Sequence, residues 1–131
     1  MVAALLAGFA AAGCGDVRIL YTNQQCPDDP PAVVVEFVTR SDGRAVAVSA
    51  SGSLQDGSYF EQMRATGQES GSAAGRTFAL AGGYGREGVY DVRVETRAGE
   101  RFAWDQIRVV GDLCGPFTVT LQAPVSARAA N

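Results

Sequence analysis

The hydrophobic positions of this chain recur mostly with a period of two. Residues 32–39 read AVVVEFVT, and Val33, Val35 and Phe37 share one face, which predicts a strand. The Ser41-Asp42-Gly43-Arg44 segment is a hairpin turn signal, and residues 45–50 (AVAVSA) are its expected return strand, with Val46 and Val48 on a common face. Asp56-Gly57 marks a second turn, and residues 58–64, with Tyr59, Phe60 and Met63, read as a further strand. Residues 65–76 are small, polar and glycine-rich, the composition of an exposed loop. Residues 77–81 (TFALA) return to strand character until Gly82-Gly83-Tyr84-Gly85 interrupts them.

The clearest alternation lies in residues 89–95, with Tyr90, Val92 and Val94 opposed to Asp91, Arg93 and Glu95. A turn at residues 97–100 leads to residues 101–110. There the apolar phase moves from Phe102 and Trp104 to Ile107 and Val109, so a bulge is expected near Asp105 or Gln106. Residues 111–116 form a loop around Cys114. Phe117, Val119 and Leu121 predict a last strand with those side chains inward, and residues 124–131 read as a loose tail. No helical period stands out after the N-terminal segment. About seven closely spaced strands predict an all-β fold, an antiparallel β-sandwich of the immunoglobulin-like kind.

Composition narrows the chemistry. The chain has 131 residues, a formal net charge of −3 and no histidine, and its eleven basic residues are all arginine. Without His there is no Ser-His-Asp or Cys-His catalysis and no imidazole metal ligand. Without Lys there is no Schiff base and no phosphate-loop lysine. The arginines are scattered from Arg18 to Arg128, so no basic stripe exists to displace counterions from nucleic acid, and no nucleic-acid partner is expected. Gly83-Tyr-Gly-Arg-Glu-Gly88 fits the GxGxxG string. However, the residues after it read as a strand, and dinucleotide binding needs a helix there. Asp28 and Asp29 lack the spacing of a calcium loop. Glu36, Asp91 and Glu95 fall on the outward faces of strands, where pairing with arginine is the expected role. Phe102, Trp104 and Tyr90 fall on inward faces. Tyr84, between glycines in a loop, has no evident place in a core and is the candidate ligand contact. No catalytic residue, no metal site and no cofactor is expected.

Residues 2–12 (VAALLAGFAAA) are an uncharged apolar run, too short to cross a bilayer as a helix but of the length of a secretory hydrophobic region. Followed by Gly13 and Cys14, they resemble a bacterial lipoprotein signal. Ala11 stands where such signals usually carry Leu, and no cation precedes the run. The resemblance implies cleavage before Cys14, acylation of Cys14 and a membrane partner held through that lipid anchor. Two readings remain beside it: an ordinary export signal cut after Ala12, or an apolar segment kept in the mature chain. An exported protein with three cysteines, Cys14, Cys26 and Cys114, leaves one unmatched. With Cys14 lipidated, a Cys26–Cys114 disulfide is the simplest assignment, two buried free thiols being the alternative. The expected organisation is a signal over residues 1–13, a tether over 14–26, in which residues 17–22 (VRILYT) are a short strand or spacer, a β-sandwich over 27–123 and the tail.

The strand VVVEFV with its turn SDGRAV, the segment from Gly88 through Tyr90 to Val94, and the closing Thr118-Val-Thr-Leu121 together resemble carboxypeptidase regulatory-like domains, small sandwiches of the transthyretin (prealbumin)-like fold. The resemblance covers roughly residues 31–123. The proline usual after the first turn is replaced by Arg44-Ala45-Val46. What it implies is a non-catalytic binding or structural module on the bacterial cell envelope, facing the periplasm or the cell surface, with envelope proteins or polysaccharide as possible partners. The alternative is a secreted carbohydrate- or peptide-binding module without an anchor.

Overall fold

The computed structural model describes residue 26, residues 29–68 and residues 75–127. The expected signal, the lipidation site Cys14, residues 17–22, Asp28, and residues 128–131 of the expected tail lie outside the described residues. Within them strands are the only regular elements with a named range. β1 is Val33–Thr39, β2 Ala50–Asp56, β3 Tyr59–Gln62, β4 Arg64–Gln68, β5 Thr77–Gly82, β6 Gly88–Thr96, β7 Arg101–Val109, β8 Gly111–Asp112, β9 Gly115–Pro116 and β10 Val119–Val125. One four-stranded sheet has the order β10-β1-β5-β4 and the other β3-β2-β6-β7, while β8 and β9 form a two-stranded ribbon.

The two sheets bury one core between them. Val33, Val35 and Phe37 of β1, Leu80 of β5, and Ala123 and Val125 of β10 meet Leu54 of β2 and Tyr90, Val92 and Val94 of β6. Alternation puts these side chains on the inner faces, and removing them from water is the main stabilising term. Phe102, Trp104 and Ile107 of β7 pack against the core's edge, with the Phe102 and Trp104 rings stacked 6.1 Å apart. The expected bulge is present. Tyr90 faces Ile107 and Val92 faces Trp104, so β7 carries one residue more than β6. Gln106 adopts a φ of 60°, and its N–H donates to the Asp91 carboxylate at 3.0 Å, which gives the displaced donor a partner.

Several expectations are corrected. There are ten strands among the described residues rather than about seven, and the sandwich is not purely antiparallel, because β10 runs parallel to β1 along its whole length, from Val119 opposite Val33 to Val125 opposite Thr39. Both strands start at the end of the domain where Cys26 and Cys114 are disulfide-bonded. β10 also runs to Val125, with Ala123 and Val125 buried, so the residues just past 123 are core rather than tail. The Asp42-Gly43 turn forms, with Thr39 N–H bonded to Arg44 O and Gly43 N–H to Thr39 O. The return segment, though, is not a regular strand. It bridges Val38 through Ala45 and Thr77 through Val48 on its way to the other sheet, which buries Ala47 and Val48 in succession instead of alternately. The expected strand over residues 58–64 breaks at Met63, where the chain passes from β3 in one sheet to β4 in the other. β4 occupies part of the expected loop. All of its side chains are exposed, so its pairing to β5 rests on backbone bonds and on the Thr77 hydroxyl, which donates to Thr66 O at 2.5 Å.

Candidate functional site

Strand directions divide the molecule into two ends. β1 and β10 begin, and β7 ends, at the end that carries the disulfide, and the loop between β5 and β6 closes over it. Gly83 and Gly85 in that loop both take φ of 71°, a left-handed conformation that glycine adopts without strain. Gly85 N–H donates to Pro30 O at 2.9 Å and Arg86 N–H to Gly83 O at 3.0 Å, which locks the loop against the segment following Cys26. β6 follows directly, so the GxGxxG string opens a strand, as expected, and presents no helix N-terminus to a phosphate.

Arg86 organises the loop. Its guanidinium lies 3.8 Å from the Tyr59 ring centroid, donates to Asp56 Oδ2 at 3.0 Å and reaches the Tyr90 hydroxyl at 3.4 Å, while that hydroxyl donates to Arg86 O at 2.6 Å. The Tyr90 hydroxyl and then Asp56 favour the charged form and hold the Arg86 pKa above its ordinary value. Tyr59 donates a short hydrogen bond to Glu61, whose Oε1 also accepts from Gly83 N–H at 3.1 Å. That bond, followed by partial burial, pushes the Tyr59 hydroxyl above the usual tyrosine value. Cations, carboxylates and hydroxyls here satisfy one another. The arrangement fixes a loop and leaves no free acid–base pair.

Tyr84 stands in this loop at 38% exposure, with the Arg64 guanidinium 4.5 Å from its ring centroid. The expected ligand contact is therefore accessible on one side and covered by a cation on the other. Next to it, the β8–β9 ribbon carries Cys114. Cys26 and Cys114 are bonded with their Cα atoms 5.2 Å apart across 88 residues of sequence. Three apolar side chains project from the ribbon and its flanks, Val110 at 53% exposure, Leu113 at 65% and Phe117 at 57%, with the exposed Asp112, whose carboxylate accepts from Cys114 N–H at 2.9 Å, among them. Phe117, expected inward, points out because its N–H pairs with Val110 O at 2.7 Å, making it the last residue of the ribbon rather than the first of β10.

A second feature lies on the outer face of the β3-β2-β6-β7 sheet. There a shallow groove of about 490 Å³ is lined by Ser51, Ser53, Phe60, Gln62, Arg93 and Arg101 among others. Small residues on β2 form its floor. The exposed Phe60 ring forms one wall and the arginines of β6 and β7 the other. Arg93 pairs with Asp105 at 2.8 Å and Arg101 with Glu95 at 3.6 Å, the cross-strand pairing expected of these faces. The sequence does not point to this groove, because the buried positions of β2 are Gly52 and Leu54 and carry little hydrophobic signal. The periodic placing of Ser51 and Ser53 opposite Gly52 and Leu54 was the available signal.

The other sequence candidates are dispersed. Glu36 is exposed on β1, Asp91 serves the bulge, and Asp29 lies against Gly85. No group of three or more metal-ligating side chains occurs among the described residues. No protein-family model, curated protein or solved structure matches the chain.

Proposed function

We propose that the chain is a bacterial envelope lipoprotein, anchored through acylated Cys14, whose folded part is a non-catalytic β-sandwich module. The observation that carries this reading is the Cys26–Cys114 bond. It uses two of the three cysteines and leaves Cys14, at the end of an apolar run of small residues, as the odd one. A disulfide across the domain also suits an oxidising compartment. The non-catalytic assignment is supported by the occupied state of the polar groups: Asp56, Glu95 and Glu100 pair with arginine, and Asp91 and Glu61 accept backbone N–H groups. The Asp42-Gly43 turn after β1 and the Gly88-x-Tyr90 entry to β6 favour a carboxypeptidase regulatory-like, transthyretin-like sandwich as the finer fold type.

The test is the intact mass of the protein from the membrane and soluble fractions of a bacterial host. A chain beginning at Cys14 and heavier by a diacylglycerol and an amide-linked acyl chain, found with membranes, is the expected result. An unacylated chain in the soluble fraction would overturn the anchor. A second reading, a secreted module for carbohydrate or peptide, is favoured by the groove beside Phe60, which pairs an exposed ring with Gln62 and serine hydroxyls. Cys14 decides between the two, since only the anchored protein carries lipid there.

A further inference from the structure

Six large apolar or aromatic side chains are exposed among the described residues, and four of them, Tyr84, Val110, Leu113 and Phe117, sit at the disulfide end. Val110 and Phe117 are neighbours across the ribbon, and Leu113 lies in the turn between its strands, beside Cys114. A small domain gains nothing from wetting three large apolar side chains on a two-stranded projection, and such clusters mark contact surfaces. The disulfide bonds this projection to Cys26, the point where the N-terminal chain enters the domain. Even fully extended, the chain from Cys14 to Cys26 reaches at most about 40 Å.

We propose that the ribbon tip formed by Val110, Leu113 and Phe117 docks into the surface of the lipid bilayer that holds Cys14, so that the domain stands with its disulfide end on the membrane. This rests on the anchor reading, and it deepens it by assigning the domain an orientation. Three partly exposed apolar side chains bind a bilayer only marginally from free solution. Held by a short tether, the same contact becomes intramolecular, and an effective concentration in the millimolar range suffices to occupy it. Among the described residues, no such cluster of exposed apolar side chains occurs in the turns of the opposite end. Its turns carry Arg40, Asp42, Arg44, Arg97 and Glu100.

The experiment places a tryptophan at either end of the full chain. Leu113→Trp and, at the far turn, Ala98→Trp are compared in vesicles of phosphatidylethanolamine and phosphatidylglycerol that contain brominated acyl chains. Both positions are exposed, so either substitution leaves the core intact. In the acylated protein, the emission added by Leu113→Trp is expected to be quenched at least twofold and shifted to the blue, and that added by Ala98→Trp is not. Equal quenching at both ends, or none at either, would overturn the proposal. In parallel, vesicle sedimentation of the unacylated Cys14→Ser chain should show weak binding that Leu113→Ser with Phe117→Ser lowers about tenfold; unchanged binding would count against it. This arm needs no lipid on the protein, so it separates failure of the docking surface from failure of the anchor, which the intact mass reports. Two other occupants overturn the proposal outright. A concentration-dependent dimer abolished by Phe117→Ser would assign the tip to a second copy. Blue-shifted Leu113→Trp emission without vesicles, lost when residues 17–22 are replaced by Gly and Ser, would assign it to the chain's own apolar segment.

Discussion

Replacing Cys26 and Cys114 by alanine tests the central covalent feature directly. The bridge joins positions 88 residues apart, so in the unfolded chain it closes a loop that includes almost the whole domain. On the chain-entropy account, a loop of that size costs the unfolded ensemble about 15 cal/mol/K, equivalent to about 4.6 kcal/mol of stability at 25 °C. Small domains have only about 5–15 kcal/mol in total, so the double variant should lose between a third and nearly all of its stability. Guanidinium unfolding followed through the single tryptophan, Trp104, which packs on Phe102 at the core's edge, reads this loss. Because the effect acts on the unfolded state, the folded double variant should keep its native spectrum. Its denaturant slope should rise, since an uncrosslinked chain exposes more surface on unfolding. A loss under about 1 kcal/mol with an unchanged slope would refute the entropic reasoning. A loss of the expected size with an altered native spectrum would move the effect into the folded ribbon, and would refute it equally.

Other substitutions probe the packing and the loop. Leu54→Ala should cost about 3 kcal/mol in urea unfolding, because Leu54 Cδ1 is seated against the backbone at Gly82 and Gly83, which cannot collapse into the space. Gly111→Ala would set a Cβ 2.1 Å from Gly115 O and 2.6 Å from Pro116 Cα. Since backbone cannot swing aside, the ribbon should open, with a loss of about 3 kcal/mol and faster reduction of the disulfide by dithiothreitol. Tyr59 has a raised pKa in the folded protein through its bond to Glu61, so above pH about 10 the folded state holds a proton that the unfolded state releases, and stability falls as pH rises through the folded value. Tyr59→Phe should flatten that part of a stability profile measured from pH about 8 to 11, and should leave the neutral region's slope unchanged.

Legibility in the sequence followed the strength of the side-chain signal. β6 could be read because Tyr90, Val92 and Val94 alternate with charges, and the β7 bulge because its apolar phase moves by one residue at Gln106. The disulfide followed from an odd number of cysteines. β2 was hidden because its buried positions are Gly52 and Leu54, so half of the inner face is carried by a residue without a side chain. β4 was hidden because nothing in RATGQ is buried, and an edge strand held by its backbone writes no pattern. Residues 45–50 misled for the opposite reason. Their alternation is genuine, but the segment crosses between sheets, and both faces of a crossing are covered. The groove beside Phe60 was lost together with β2. The outward turn of Phe117 was lost because alternation gives a period but no phase, and the phase there is set by the ribbon.

The two ends of the sandwich are closed by different chemistry, and the difference bears on orientation. At the far end one carboxylate, Glu100, ties the sheets together. It pairs with Arg40 at 2.6 Å beyond β1 and accepts from the Ser126 N–H at 3.1 Å beyond β10, while its own N–H bonds the Thr96 hydroxyl in the other sheet. This latch is charged, and its Arg40 guanidinium faces water. At the near end the disulfide is joined by the Arg86–Asp56 pair that holds the β5–β6 loop, and the ribbon beside them carries an apolar rim around Asp112. A domain free to tumble has no need of such polarity. On the anchor reading proposed above, a domain tethered at Cys26 would meet its surroundings with the same end every time. Uncharged apolar side chains gain there only if what they meet is itself apolar, and burying the charged latch against a bilayer would instead cost its hydration.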